Sequence, residues 1–293
     1  GEGGDGNLRV ALSLTTVGAV VALMVLLYLV NAKHAMVRRA TWSIISATVC
    51  IFSAVLIFTS INEMTNGIFI GESENHHGEG HHEAPTMFAL CLDLCKACLL
   101  FAVLELTLIR MRMHEKTLEA VAKIGAHVVG FALIEFFGTM QLMSPFSSSP
   151  LYSVLIVILA AALVVGLSMA CSYFRSHHFS EEERRHEEFI EVTAEAEDDY
   201  IGLLMGMLIC QVTKFSIVGE IAPLHGNPKG KTPMQVTLLM TAAIVFGGVL
   251  VLVSTWQQKL ADREAPKRVR RAAHVLEVIV AMSLGWHSLY AWQ

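Results

Sequence analysis

Asp93 and Lys96, Glu135, and Lys214 with Gln211 stand deep inside three long apolar runs. A charge in hydrocarbon costs about 2.5–3.5 kcal/mol even on lenient insertion scales, so such residues face a bundle interior, pair, and mark function. Asp93 and Lys96 are spaced i,i+3, as are Gln211 and Lys214, which puts each pair on one helical face. Two chemistries fit. Carboxylates that exchange a lysine partner for a proton or cation make a transport path; balanced ion pairs make a cluster that holds helix register. Glu105 and Glu277, single acids towards the other side, have no obvious basic partner and tilt the reading towards transport. Arg110 can snorkel back and pair in part with Glu105. Glu63, Glu220 and His287 would ring the mouth of the charged layer.

Other sets of residues carry weaker chemistry. His76, His77, His81 and His82, interleaved with Glu79 and Glu83, suit weak binding of a divalent metal such as Zn²⁺ or Cu²⁺, or a pH-sensitive patch. The flexible glycines and the lack of cysteine argue against a rigid tetrahedral site. Cys91, Cys95 and Cys98 share a helical face, but all six cysteines lie in apolar runs and read as buried free thiols. The sequence has no Walker A loop, paired-glycine dinucleotide turn, Gly-x-Ser-x-Gly elbow, His-Glu-x-x-His pair or TVGYG filter. The expectation is therefore a protein that is not an enzyme, and no motif points to nucleic acid. The cofactor is unassigned, with bound lipid expected.

The elements that must position these residues are membrane helices. Of the 293 residues, 54% are hydrophobic and 16% charged, with mean hydropathy +0.55, far from a soluble domain. Runs of about 20 mostly apolar residues that do not alternate read as spanning helices rather than strands. Eight such spans are predicted, near 10–30, 40–61, 86–109, 121–143, 150–171, 201–221, 233–256 and 272–292. The chain begins at Gly1 rather than Met, as a processed or truncated chain would, and the first run is too long for a signal segment.

Sixteen Lys and Arg residues fall in the links after spans one, three, five and seven, against Arg9, Lys229 and Lys231 on the opposite side. This asymmetry predicts basic turns on the cytoplasmic (or matrix or stromal) side and both termini on the outer side. The expected fold is all-α: one polytopic transmembrane domain over 1–293, built as four hairpins. It has an outer His-rich loop at 62–85 and an inner charged loop at 172–200. At 1.5 Å per residue the charged layer on spans three, four and six lies about 10–15 Å below the outer boundary. Ala126-His127-Val128 with Gly138 repeats as Ala273-His274-Val275 with Gly285, suggesting a 4+4 internal repeat. Gly202/Gly206 and Ala243/Gly247 have the small-xxx-small spacing of close helix contacts.

The function expected is a channel or secondary transporter for a cation or proton. The alternative is an accessory or scaffold subunit of a large membrane complex, its charges forming structural ion pairs. The partners expected are the lipid bilayer and either further copies of the chain or membrane-complex neighbours.

Overall fold

In a computed structural model of the chain, residues 16–18, 20–21, 23–69, 86–178, 187–221 and 231–292 are described. Among them every regular element is helical. We label these α1 (Thr16–Val30), α2 (Ala35–Phe69), α3 (Met87–Met111), α4 (Glu115–Leu142), α5 (Pro150–His178), α6 (Glu187–Val218), α7 (Pro233–Asp262) and α8 (Lys267–Trp292). Seven of them, α2 to α8, are long and apolar enough to cross a membrane. The first predicted span, 10–30, meets α1, which is shorter; the residues before Thr16 lie outside the described ones.

The helix ends follow from local chemistry. Asn31 stops α1 by turning its side-chain amide back onto the Leu27 carbonyl, 2.8 Å away. Thr86 caps α3 by accepting from the Ala89 N–H, and Thr232 and Gln235 form a reciprocal capping box at α7 with Pro233 at its first turn. Gly219, at φ +85°, ends α6 in the left-handed conformation that costs glycine nothing. Several hydroxyls inside the spans are satisfied within their own helix. Thr107, Thr193, Thr213, Thr241 and Ser283 each donate to the carbonyl four residues earlier, so they leave no open donor in an apolar setting.

The chain divides into two compact units, Gly1–Phe52 and Ser53–Gln293, with the boundary inside α2. The first holds α1 and the opening half of α2. In the second, α6 is the central helix: it packs on α4 and α8 and also on α5, while α3 closes against α4 and α7 against α8. Burial follows this order. The apolar windows of α4 and α6 are 61% and 67% buried, whereas those of α3, α5, α7 and α8 are only 17–22% buried.

Two close approaches set the central seam. A Cβ at Gly202 would lie 2.3 Å from Val278 Cγ1, and one at Gly206 2.6 Å from Met282 Cβ. Positions four apart on α6 thus meet positions four apart on α8, so the two helices run parallel in fixed register.

The charged loop expected over 172–200 is shorter than that. α5 continues to His178 and α6 starts at Glu187, because Phe189, Val192, Ala196 and Tyr200 recur at helical spacing and are buried. The expectation of buried thiols holds for Cys50 and Cys210, but Cys91, Cys95 and Cys98 are exposed, as their face of α3 points away from α4. His127 and His274, paired by the suggested repeat, have different surroundings. His127 is buried with Nδ1 on the Lys123 carbonyl, while the partly buried His274 meets Gln257.

Candidate functional site: two buried ionic networks

The larger network joins α3, α5, α6 and α8, and its centre is Glu197 on α6, 1% exposed. One carboxylate oxygen of Glu197 accepts from Arg175 Nη2 of α5; the other accepts from Arg271 Nη2 of α8 at 2.7 Å and from the Ser168 hydroxyl. Arg175 extends its second nitrogen to Glu105 on α3, 3.2 Å away. Arg271 also grips Asp198 through Nε at 3.1 Å and Nη2 at 3.0 Å, and donates to the Ala194 carbonyl. The guanidinium fork suits this work, because one planar group can satisfy acceptors on several helices at once. Three carboxylates, Glu105, Glu197 and Asp198, thus share two guanidiniums.

The smaller network lies towards the other end of α3 and joins it to α2 and α4. Asp93 and Lys96 form an ion pair at 2.8 Å, both 7% exposed. Lys96 donates on to Asn62 Oδ1 of α2, whose amide nitrogen reaches Glu135 of α4 at 3.4 Å. Thr139, one turn beyond Glu135, donates to Asp93 at 3.1 Å. Three helices are thereby tied by a chain in which each buried carboxylate has a donor, as a low-dielectric interior demands.

Lys214 belongs to neither network. Its ammonium sits 4.1 Å above the centre of the Tyr290 ring on α8. Gln211, one turn earlier, is 1% exposed with no hydrogen-bond partner on either amide atom. The predicted single layer of Asp93, Lys96, Glu135, Gln211 and Lys214 is therefore divided by the structure: α3 and α4 hold three of its members, and the α6–α8 seam holds two.

His287, expected at a mouth, lies instead in the interior at 0% exposure. It is stacked 4.6 Å from the Phe246 ring, with Nδ1 2.7 Å from the Ser283 carbonyl. Glu63 and Glu220 are exposed. The inner acids both have partners: Glu105 meets Arg175 rather than the exposed Arg110, and Glu277 accepts from Ser254 and lies 3.8 Å from His274. His76, His77, His81 and His82 lie outside the described residues. Among the described residues no group of three or more His, Cys, Asp or Glu is placed to hold a metal.

Sequence reasoning missed Arg175, Glu197, Asp198 and Arg271, which it assigned to loops and basic turns. The signal was the apolar period beginning at Phe189, which carries Glu197 and Asp198 into α6. Asn62 was missed because it was assigned to the start of the outer loop at 62–85, whereas α2 runs on to Phe69, and Thr139 because a neutral polar residue does not stand out in an apolar run.

The helices and their buried ionic networks define a polytopic α-helical membrane architecture. Comparison with protein families, with curated proteins and with solved structures finds no match.

Proposed function

We propose that the chain is a channel or secondary transporter for a proton or small cation, with the buried carboxylates as its sites. The observation that carries this reading is the composition of the larger network. Glu105, Glu197 and Asp198 face Arg175 and Arg271, so the fully ionised set has one negative charge in excess. A proton or a monovalent cation neutralises that excess, and its departure restores it. The smaller network adds Asp93 and Glu135 on α3 and α4, so acids stand towards both ends of α3. In this reading the basic turns face the cytoplasm (or matrix or stroma), and both termini lie outside.

The test is reconstitution in liposomes with a pH-sensitive dye and a panel of monovalent and divalent cations. The wild-type chain should dissipate a gradient of one species, and Glu105→Gln and Glu135→Gln should slow it by at least about tenfold, the loss expected when a charge-compensating group is removed. Absence of flux for every species, protons included, would overturn the reading.

A second reading, an accessory or scaffold subunit of a membrane complex, is favoured by one observation. Both oxygens of Glu197 are engaged, by Arg175, Arg271 and Ser168, as in a static pin between helices. The largely unburied apolar faces of α3, α5 and α7 would then meet neighbouring chains, other copies or different subunits, as well as lipid. Native mass measurement of the mildly solubilised protein distinguishes the two readings, since a scaffold would copurify with partners and carry no flux.

A further inference from the structure

Lys214 and Lys231 flank one residue, Tyr290. Lys214, 4% exposed, lies over the ring, and Lys231 donates to the Tyr290 carbonyl. Among the described residues, no carboxylate forms an ion pair with either of them, in a chain whose other buried charges are paired. A cation–π contact contributes about 0.5–2 kcal/mol, whereas withdrawing an ammonium from water costs several kcal/mol. The ring therefore does not offset the burial of Lys214. Lys231 spends one of its three N–H groups on the carbonyl and keeps the others.

Depth narrows what could complete the site. Lys214 lies four residues before Val218, the last residue of α6, or roughly 6 Å along the axis at 1.5 Å per residue. Lys231 immediately precedes the Thr232 cap of α7. Both positions suit the level of lipid headgroups, where tyrosine is enriched. Gln211, one turn below Lys214 on the same face, keeps an unpartnered buried amide N–H that can serve as a further donor to an oxygen ligand.

We propose that Lys214 and Lys231, astride Tyr290 at the α6–α8 seam, bind a phosphate-bearing ligand, with Gln211 as an additional donor. Two point-charge ammonium groups and a neutral N–H suit the several oxygens of a phosphate. The phosphate is carried by an anionic lipid or is free in solution, and this site is separate from the acids assigned to transport.

The experiment uses the full chain purified in detergent. Thermal unfolding and native mass are measured with phosphatidylglycerol, with phosphatidylcholine and with inorganic phosphate alone, for wild type, Lys214→Met, Lys231→Met and Lys214→Arg. Retention of phosphatidylglycerol by wild type, weakened about fivefold in the two Met variants and kept in Lys214→Arg, supports the site with a lipid source. Stabilisation of wild type by inorganic phosphate, lost in the Met variants, supports it with a soluble source. Unaltered binding of both ligands in folded Lys214→Met and Lys231→Met overturns it. Lys231 precedes the α7 cap and belongs to neither packed helix of the seam, so Lys231→Met keeps the test open if Lys214→Met fails to fold.

Discussion

Arg271 of α8 reaches Glu197 of α6 at 2.7 Å across 74 residues of chain, and Arg175 of α5 holds the other oxygen of the same carboxylate. A single buried side chain thereby fastens three helices. Glu197→Gln leaves Arg175 on Glu105 and Arg271 on Asp198, so no ion is stranded, but it weakens the charged hydrogen bonds that converge on the carboxylate. It is expected to lower stability by about 1.5–3 kcal/mol in a denaturant titration in detergent. Glu119, which pairs with Lys123 at 2.9 Å from an exposed position, gives the contrast: Glu119→Gln should cost under about 1 kcal/mol. Equal losses for the two variants would show that Glu197 is not a fastening point.

The α6–α8 seam depends on the absence of side chains. A Cβ at Gly206 would sit 2.6 Å from Met282 Cβ and 3.0 Å from the Ser283 backbone nitrogen, and a backbone atom cannot yield as a side-chain tip can. Gly206→Ala should destabilise by about 1–3 kcal/mol, as overpacking does. Gly166→Ala on α5, where nothing lies within 4 Å, should be neutral or stabilise by up to about 1 kcal/mol through helix propensity. Thermal unfolding of the two variants side by side checks the pair.

Lys231 gives a pH dependence with a defined sign. Burial holds its ammonium below the ordinary lysine value of 10.5, so the folded chain releases this proton more readily than the unfolded one. Across the interval below 10.5 the unfolded state binds more protons, and stability rises with pH. The contribution is complete above the unfolded value and is lost as pH falls through the folded one. The difference in stability between wild type and Lys231→Met, followed from pH 7 towards about 10.5, should move in favour of wild type as pH rises. A flat difference would contradict it.

Sidedness is open to chemical labelling. The α4–α5 turn carries Ser147, and the α7–α8 turn carries Glu264. With α5, α6 and α7 all spanning, an odd number of crossings separates the two turns. In a background lacking the native cysteines, a membrane-impermeant maleimide should label Ser147→Cys from outside intact cells and Glu264→Cys only after permeabilisation. Labelling of both from one side would remove one of the intervening spans.

Much of this architecture is local and was readable in one dimension. A run of about 20 apolar residues has few alternatives to a spanning helix, and Thr232-Pro233 and Gly219 mark helix ends by their own backbone preferences. The 4-residue spacing of Gly202 and Gly206 marked a contact face without naming what meets it. The start of α6 was harder, because Glu195, Glu197, Asp198 and Asp199 mask the apolar period that runs through Phe189, Val192, Ala196 and Tyr200.

The sequence by itself determined that this is an all-helical chain with charges buried in apolar helices. Only the tertiary structure decided which charges meet. Lys214 stood at the same depth as Asp93 and Glu135, yet the parallel register of α6 and α8 sets it over Tyr290, while Asn62 of α2 bridges Lys96 to Glu135. Glu105 looked unpartnered until α5 brought Arg175 to it from 70 residues away. The physical reason is that hydrophobic periodicity sets a helix and its buried face, whereas ion pairing depends on the rotation and offset of one helix against another. Those are fixed by close approaches such as Gly206 on Met282, which no single helix encodes.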